Sequence, residues 1–215
     1  MNVSRGVLAT ALLAISVSAQ AATPAAVYTG GGANPAAMAC VSCHGAEGEG
    51  MAAGGFPRLA GLSAEYMRKQ LADFASGERA NPIMQPIATA LSAEEAQAVT
   101  TMLADKPRPK VERIGRAAAA QGVGETLALR GAWARNIPEC VACHGPSGVG
   151  VGKTFPPLAG QSAQYLAAQL NAWRQGTRKN DPNDLMGHIA RSLSDDEIKA
   201  VSAYFAGLTD TGAGK

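Results

Sequence analysis

The sequence predicts an all-α protein built from two copies of one domain, and three observations predict it. No stretch alternates apolar and polar residues for long enough to make a strand, while apolar residues recur at helical spacing in several segments. One pattern of residues occurs twice, about 100 positions apart. The 215 residues are 47% hydrophobic but only 5% aromatic, enough for two small cores that take part of their bulk from something other than Phe, Tyr and Trp. A large bound group is one such source.

The first element is an export signal over residues 1–21. Arg5 supplies the positive start, Val7 to Val17 is apolar apart from Thr10 and Ser16, and Ala19-Gln20-Ala21 fits the small-x-small cleavage pattern. The apolar run is far short of the ~20 residues that span a bilayer. Cleavage after Ala21 or Ala22 places the mature, soluble chain outside the cytoplasm, in the periplasm. Without Arg5 the chain carries +1, unevenly placed: −4 over residues 22–105, +4 over 106–130 and +1 over 131–215. Such a dipolar chain suits charged protein partners and excludes a nucleic-acid-binding role.

The repeat defines the domains. Cys40-Val41-Ser42-Cys43-His44-Gly45 matches Cys140-Val141-Ala142-Cys143-His144-Gly145, and Phe56-Pro57-Arg58-Leu59-Ala60-Gly61 matches Phe155-Pro156-Pro157-Leu158-Ala159-Gly160. Tyr66, Gln70, Leu71, Phe74 and Gly77 match Tyr165, Gln169, Leu170, Trp173 and Gly176, and Met84 matches Met186 after a short insertion. Domain one is expected over 22–105, a linker over 106–123 and domain two over 124–215. The prolines of Lys106-Pro107-Arg108-Pro109-Lys110 stop any helix there and keep the chain extended.

Within each copy the elements follow in order. A short helix precedes the Cys pair, and Gly-rich loops follow His44 and His144. Helices run over 63–76 and 162–175, stopping at Gly77 and Gly176. The last helices open with capping boxes, Ser92-Ala93-Glu94-Glu95 and Ser194-Asp195-Asp196-Glu197.

Cys-x-x-Cys-His is the attachment signature of a c-type haem: two thiols form thioethers with the porphyrin vinyl groups and the adjacent imidazole takes the iron. A single chance match in this composition is expected only about 10⁻³ times, and here the motif occurs in both copies. It uses Cys40, Cys43, Cys140 and Cys143, which are all the cysteines, with His44 and His144. A zinc site needs closer Cys pairs, a thioredoxin-like pair needs a βαβ context, and two disulfides leave both histidines unexplained. The sixth ligand separates a closed electron carrier from a reactive site, because a thioether raises the potential and shuts the iron to exchange. Domain two has one methionine, Met186, and of the domain-one methionines only Met84 stands at the equivalent place. Met67 and Met102 read as core, Met38 precedes the motif, and Met51 falls in a loop. His188, two residues past Met186, is the alternative ligand to the second iron and would lower its potential.

The Phe-Pro-x-Leu-Ala-Gly strips place Pro57 and Pro156 where a carbonyl or ring packs against the proximal histidine and tunes it. Tyr66 and Tyr165 reach either a propionate or the core. Arg58 has Pro157 as its counterpart, so any propionate contact of Arg58 belongs to domain one alone.

On the paired Cys-x-x-Cys-His-Gly motifs, both Phe-Pro-x-Leu-Ala-Gly strips, the Asn81-Pro82-Ile83-Met84 and Leu185-Met186 loops and the capped final helices, the sequence resembles the cytochrome c4 family of dihaem electron carriers, over nearly the whole mature chain. The resemblance implies two tandem cytochrome c domains related by a pseudo-twofold axis, two covalent haem c groups, and His44/Met84 and His144/Met186 as the axial pairs. It also implies a periplasmic monomer passing electrons from a cytochrome bc complex towards a haem–copper oxidase, compatible with peripheral membrane association. The alternative is the electron-accepting subunit of a dehydrogenase complex, such as a flavoprotein sulfide dehydrogenase. An enzymatic role, as a dihaem peroxidase or thiosulfate dehydrogenase, is disfavoured because no cysteine is left for thiolate ligation and both irons would be closed.

Overall fold

The computed structural model describes residues 23–111 and 120–208. The expected export signal, part of the expected linker and the last seven residues lie outside them. Among the described residues there are ten α-helices and no β-strand beyond isolated bridges.

The first domain contains α1 (Pro24–Gly30), α2 (Val41–His44), α3 (Ala64–Ser76), α4 (Met84–Ala90) and α5 (Ala93–Ala104). The second repeats them as α6 (Val123–Arg130), α7 (Cys140–His144), α8 (Ala163–Arg174), α9 (Leu185–Ser192) and α10 (Asp195–Ala206). Start signals behave as local chemistry dictates. Ser63 and Ser162 accept from the backbone N–H of Tyr66 and Tyr165, and Ser92–Glu95 and Ser194–Glu197 form complete capping boxes. The two Met segments, read from sequence only as irregular stretches, are the openings of α4 and α9. Seven- and eight-residue helices carry too few apolar repeats for periodicity to reveal them.

In each domain the first helix packs on the last, α1 on α5 and α6 on α10. At the second crossing Gly124 is essential, because a Cβ there would lie 2.3 Å from the carbonyl oxygen of Ala200. The domain-one core is Val27, Tyr28, Leu62, Met67, Val99 and Leu103; that of domain two includes Leu127, Ile137, Ile198, Val201 and Phe205. These are small cores for domains of this length, as the scarcity of aromatic residues foretold.

The domains meet on equivalent faces. Arg79 and Arg178 form an antiparallel bridge, flanked by Ala80 N donating to Thr177 O (2.9 Å) and Lys179 N donating to Glu78 O (2.8 Å). Pairing of equivalent residues is the signature of a local twofold. Arg58 also works here: its backbone exchanges hydrogen bonds with the Gln161 amide, and its Nε donates to Gly160 O at 3.3 Å. Its side chain is thus a tie between domains.

Candidate functional site

One turn of helix assembles each motif. His44 N donates to Cys40 O at 2.9 Å, closing the turn of α2, and residues at i, i+3 and i+4 of a turn share one face. Both thiols and the imidazole of each motif therefore stand on the same side. The loops that follow fold back beneath them: Gly50 N donates to His44 O at 2.8 Å and Gly150 N to His144 O at 2.7 Å. Gly50 has φ +82°, and a Cβ there would lie 2.5 Å from the backbone nitrogen of Arg58. This close approach, available to glycine alone, sets the Phe-Pro strip against the histidine.

The contact is specific. Nδ1 of His44 lies 2.9 Å from Pro57 O, and Nδ1 of His144 lies 2.8 Å from Pro156 O. A carbonyl can only accept, so Nδ1 carries the proton and Nε2 keeps its lone pair. Burial lowers both imidazole pKa values, outweighing the carbonyl, so each ring is neutral near pH 7. The rings of Phe56 and Phe155 stand edge-on to His44 and His144, with centroids 6.4 and 6.1 Å apart. The four cysteines are free and half-buried. Burial pushes the Cys140 thiol up to about 12 and raises that of Cys40, so neither is a thiolate at neutral pH.

Met84 and Met186 open α4 and α9, both half-buried. Each is held from behind by a side chain that sequence reasoning did not single out. Asn81 Oδ1 accepts from Ile83 N (3.0 Å) and Met84 N (2.8 Å); Asp181 Oδ2 accepts from Met186 N (2.7 Å) and Gly187 N (3.0 Å). His188 is exposed on α9, and residues two apart on a helix leave it in different directions. Met67 is core, Met102 packs on that core, and Met38 and Met51 are exposed.

The interdomain seam adds a second feature. Arg79 Nη2 donates to Tyr165 Oη (2.7 Å) and Gln169 Oε1 (2.6 Å), and its Nη1 to Gln70 Oε1 (2.9 Å). Arg178 reciprocates, Nη1 to Gln169 (2.9 Å) and Nη2 to Gln70 (3.0 Å) and Tyr66 (3.4 Å). Both guanidinium groups are buried, 6% and 5% exposed, and every acceptor they meet among the described residues is neutral. Tyr66 and Tyr165 thus serve the arginines through their hydroxyls. The repeat contained the signal, Gly77-Glu78-Arg79 against Gly176-Thr177-Arg178, but charge alone does not reveal that an arginine is buried.

These residues fit a haem in each domain. The thiols and the imidazole share a face, Nε2 is left free to ligate, and the two buried guanidiniums, which among the described residues bond only neutral side-chain acceptors, suit the haem carboxylates. A buried, uncompensated guanidinium pair is otherwise costly.

The comparisons agree with the geometry. The cytochrome c family matches twice, over residues 31–105 and 130–209. A thiosulfate dehydrogenase electron acceptor of Stutzerimonas stutzeri (strain A1501) is 70% identical over 204 residues, covering 94% of each chain. The structure of reduced cytochrome c4 from Pseudomonas stutzeri superposes with a TM-score of 0.69 at 33% identity, covering 79% of this chain and 93% of that one. The as-isolated thiosulfate dehydrogenase TsdBA from Marichromatium purpuratum matches with a TM-score of 0.76 at 41% identity. The match covers 86% of this chain but only 39% of that longer one.

Proposed function

Because the chain belongs to the cytochrome c family, in the tandem arrangement of cytochrome c4, we propose that it is a periplasmic dihaem carrier that takes electrons from a thiosulfate-oxidising dehydrogenase and passes them to a respiratory acceptor such as a haem–copper oxidase. Electron transfer by a dihaem protein is the reading common to its relatives; the choice of donor is the finer step. What supports that donor is the 94% coverage at 70% identity with a protein named as a thiosulfate dehydrogenase electron acceptor. A cytochrome bc complex as donor is the second reading, favoured by the similarity to cytochrome c4.

Bound haem would supply a one-electron ferric/ferrous couple at each site. Cys40 and Cys43, with Cys140 and Cys143, would hold the two groups covalently. His44 and His144 would ligate through Nε2, oriented by Pro57 and Pro156. Met84 and Met186 would complete the coordination, carried on helix ends anchored by Asn81 and Asp181. Retaining both ligands in both redox states keeps reorganisation small, which suits a carrier. The chain itself is not proposed to be an enzyme.

Two measurements test this. The far-red sulfur-to-iron charge-transfer band of the oxidised protein should amount to two equivalents per chain; one or none would mean an imidazole or open site, with His188 the first suspect. Rapid mixing with a thiosulfate dehydrogenase and thiosulfate should reduce both haems. Reduction by a bc complex but not by that enzyme would select the second reading.

A further inference from the structure

The two loops that lead from the seam to the axial methionines are built differently. Counting on from Arg79 and Arg178, Asn81 and Asn180 are counterparts. Asn81 stays within its own domain and anchors the opening of α4, accepting from Ile83 N and Met84 N. In domain two the roles are split between neighbours. Asp181 anchors the opening of α9, accepting from Met186 N and Gly187 N, and Asn180 turns to the other domain.

What Asn180 meets there is α3. Its Nδ2 donates to Asp73 Oδ2 (2.6 Å) and Gln70 Oε1 (3.0 Å), its backbone carbonyl accepts from Lys69 Nζ (2.9 Å), and its Oδ1 accepts from Arg178 Nε (2.9 Å). Three of these four contacts are to domain one. Lys69 also pairs with Asp73 at 2.6 Å, and the Asp73 side chain is only 14% exposed. Bonds to a carboxylate are stronger than bonds between neutral groups, so Asp73 is the principal fixed point. The grip runs one way. The counterparts of Lys69 and Asp73 on α8 are Ala168 and Ala172, which have no polar side-chain atom to offer Asn81.

We propose that Asp73 of the first domain is a positioning residue for the axial methionine of the second: by fixing Asn180 it fixes Asp181, and through Asp181 the start of α9 that carries Met186. The proposal rests on the ligation of the second iron by Met186 given under the proposed function. An anchoring carboxylate holds a helix start only as firmly as its own backbone is held. On the far side of Asp181 residues 182–185 are exposed, so the held end of this loop is Asn180. The path is contiguous, from the Asp73 carboxylate to the Asn180 amide, across one peptide bond to Asp181, and from its carboxylate to Met186 N. Met84 has no such path, because its anchor bonds only within domain one. The seam therefore secures the second axial bond and leaves the first to its own domain.

The test is Asp73→Ala in the holoprotein, which gives α3 the residue that α8 already has at Ala172. In an imidazole titration of the oxidised protein, one far-red band equivalent should be lost at about three- to tenfold lower imidazole concentration and the other at the parental concentration. Double variants identify the iron. Combined with Asn81→Ala, Asp73→Ala should move both equivalents, each as in the single variants. Combined with Asp181→Ala it should add little, because both changes break the same path. Lys69→Met alters an exposed side chain, leaves the core intact and should move the same equivalent by a smaller factor. A merely structural role for Asp73 would weaken its own domain and move the Met84 equivalent or both. That result, full additivity with Asp181→Ala, or no movement in either Asp73→Ala or Lys69→Met, overturns the positioning role alone. A far-red band that stays at parental strength in Met186→Ala overturns it together with the ligation on which it rests.

Discussion

On the proposed ligation of the two irons by Met84 and Met186, Asp181→Ala should loosen Met186 and leave Met84 in place. The Asp181 carboxylate accepts from the backbone N–H of Met186 and Gly187, the opening of α9. Capping side chains are worth about 0.5–2 kcal/mol, and hydrogen bonds to charged groups sit at the upper end. Water reaches half-buried Asp181 and replaces part of the loss. A cost of about 1.5 kcal/mol is therefore reasonable for the pair of bonds, corresponding to roughly a tenfold larger fraction of chains with Met186 detached. The assay is titration of the oxidised holoprotein with imidazole, following the far-red band. One band equivalent should be lost at about tenfold lower imidazole concentration, the other at the parental concentration. Asn81→Ala should weaken the other equivalent, by less, because a neutral amide forms weaker bonds than a carboxylate. Loss of both equivalents together in Asp181→Ala, or no change in either, would refute the capping argument.

Three further outcomes are expected. Gly124→Ala should cost about 1–3 kcal/mol in urea unfolding, because the new methyl meets the Ala200 backbone at 2.3 Å and a backbone cannot swing aside; a parental midpoint would show that α6 can slide. Leu127→Ala, at 3% exposure, should lose about 2–5 kcal/mol, whereas Trp133→Ala should stay within about 0.5 kcal/mol, both read as thermal midpoints. The Arg135 guanidinium beside Glu197 holds that carboxyl down at about 2, against an ordinary value of 4.5. A depressed carboxylate stabilises the fold fully above about pH 4.5, and that contribution fades as pH falls towards 2. Glu197→Gln should lower the urea midpoint at pH 7 and flatten its decline between pH 4.5 and 2; an unchanged acid limb would place the sensitivity elsewhere.

Much of this protein was legible in one dimension. Cys40, Cys43 and His44 stand at i, i+3 and i+4 of a single turn, so their shared face follows from helix geometry alone. The final helices were readable because Ser92–Glu95 and Ser194–Glu197 satisfy their own backbone within three residues. The strip at Pro57 and Pro156 was placed near the proximal histidines by order, and the structure supplies the bond, a carbonyl to each Nδ1. By contrast, α4 and α9 were missed as helices, and Asn81 and Asp181 were missed as their anchors. Their elements are short, and a polar residue two to five places before a helix has no periodic mark.

By itself the sequence determined what depends on neighbours along the chain: the paired Cys-x-x-Cys-His motifs, the duplication, the helix starts and the all-α class. Only the tertiary structure decided how the halves face one another. Arg79 and Tyr165 are 86 residues apart, as Arg58 and Gln161 are 103, and nothing local in either segment specifies its partner. Whether a charge is solvated or buried depends on what packs over it. The two seam arginines look in sequence like any surface cation, and become a buried, anion-seeking pair only when α3 and α8 close over them.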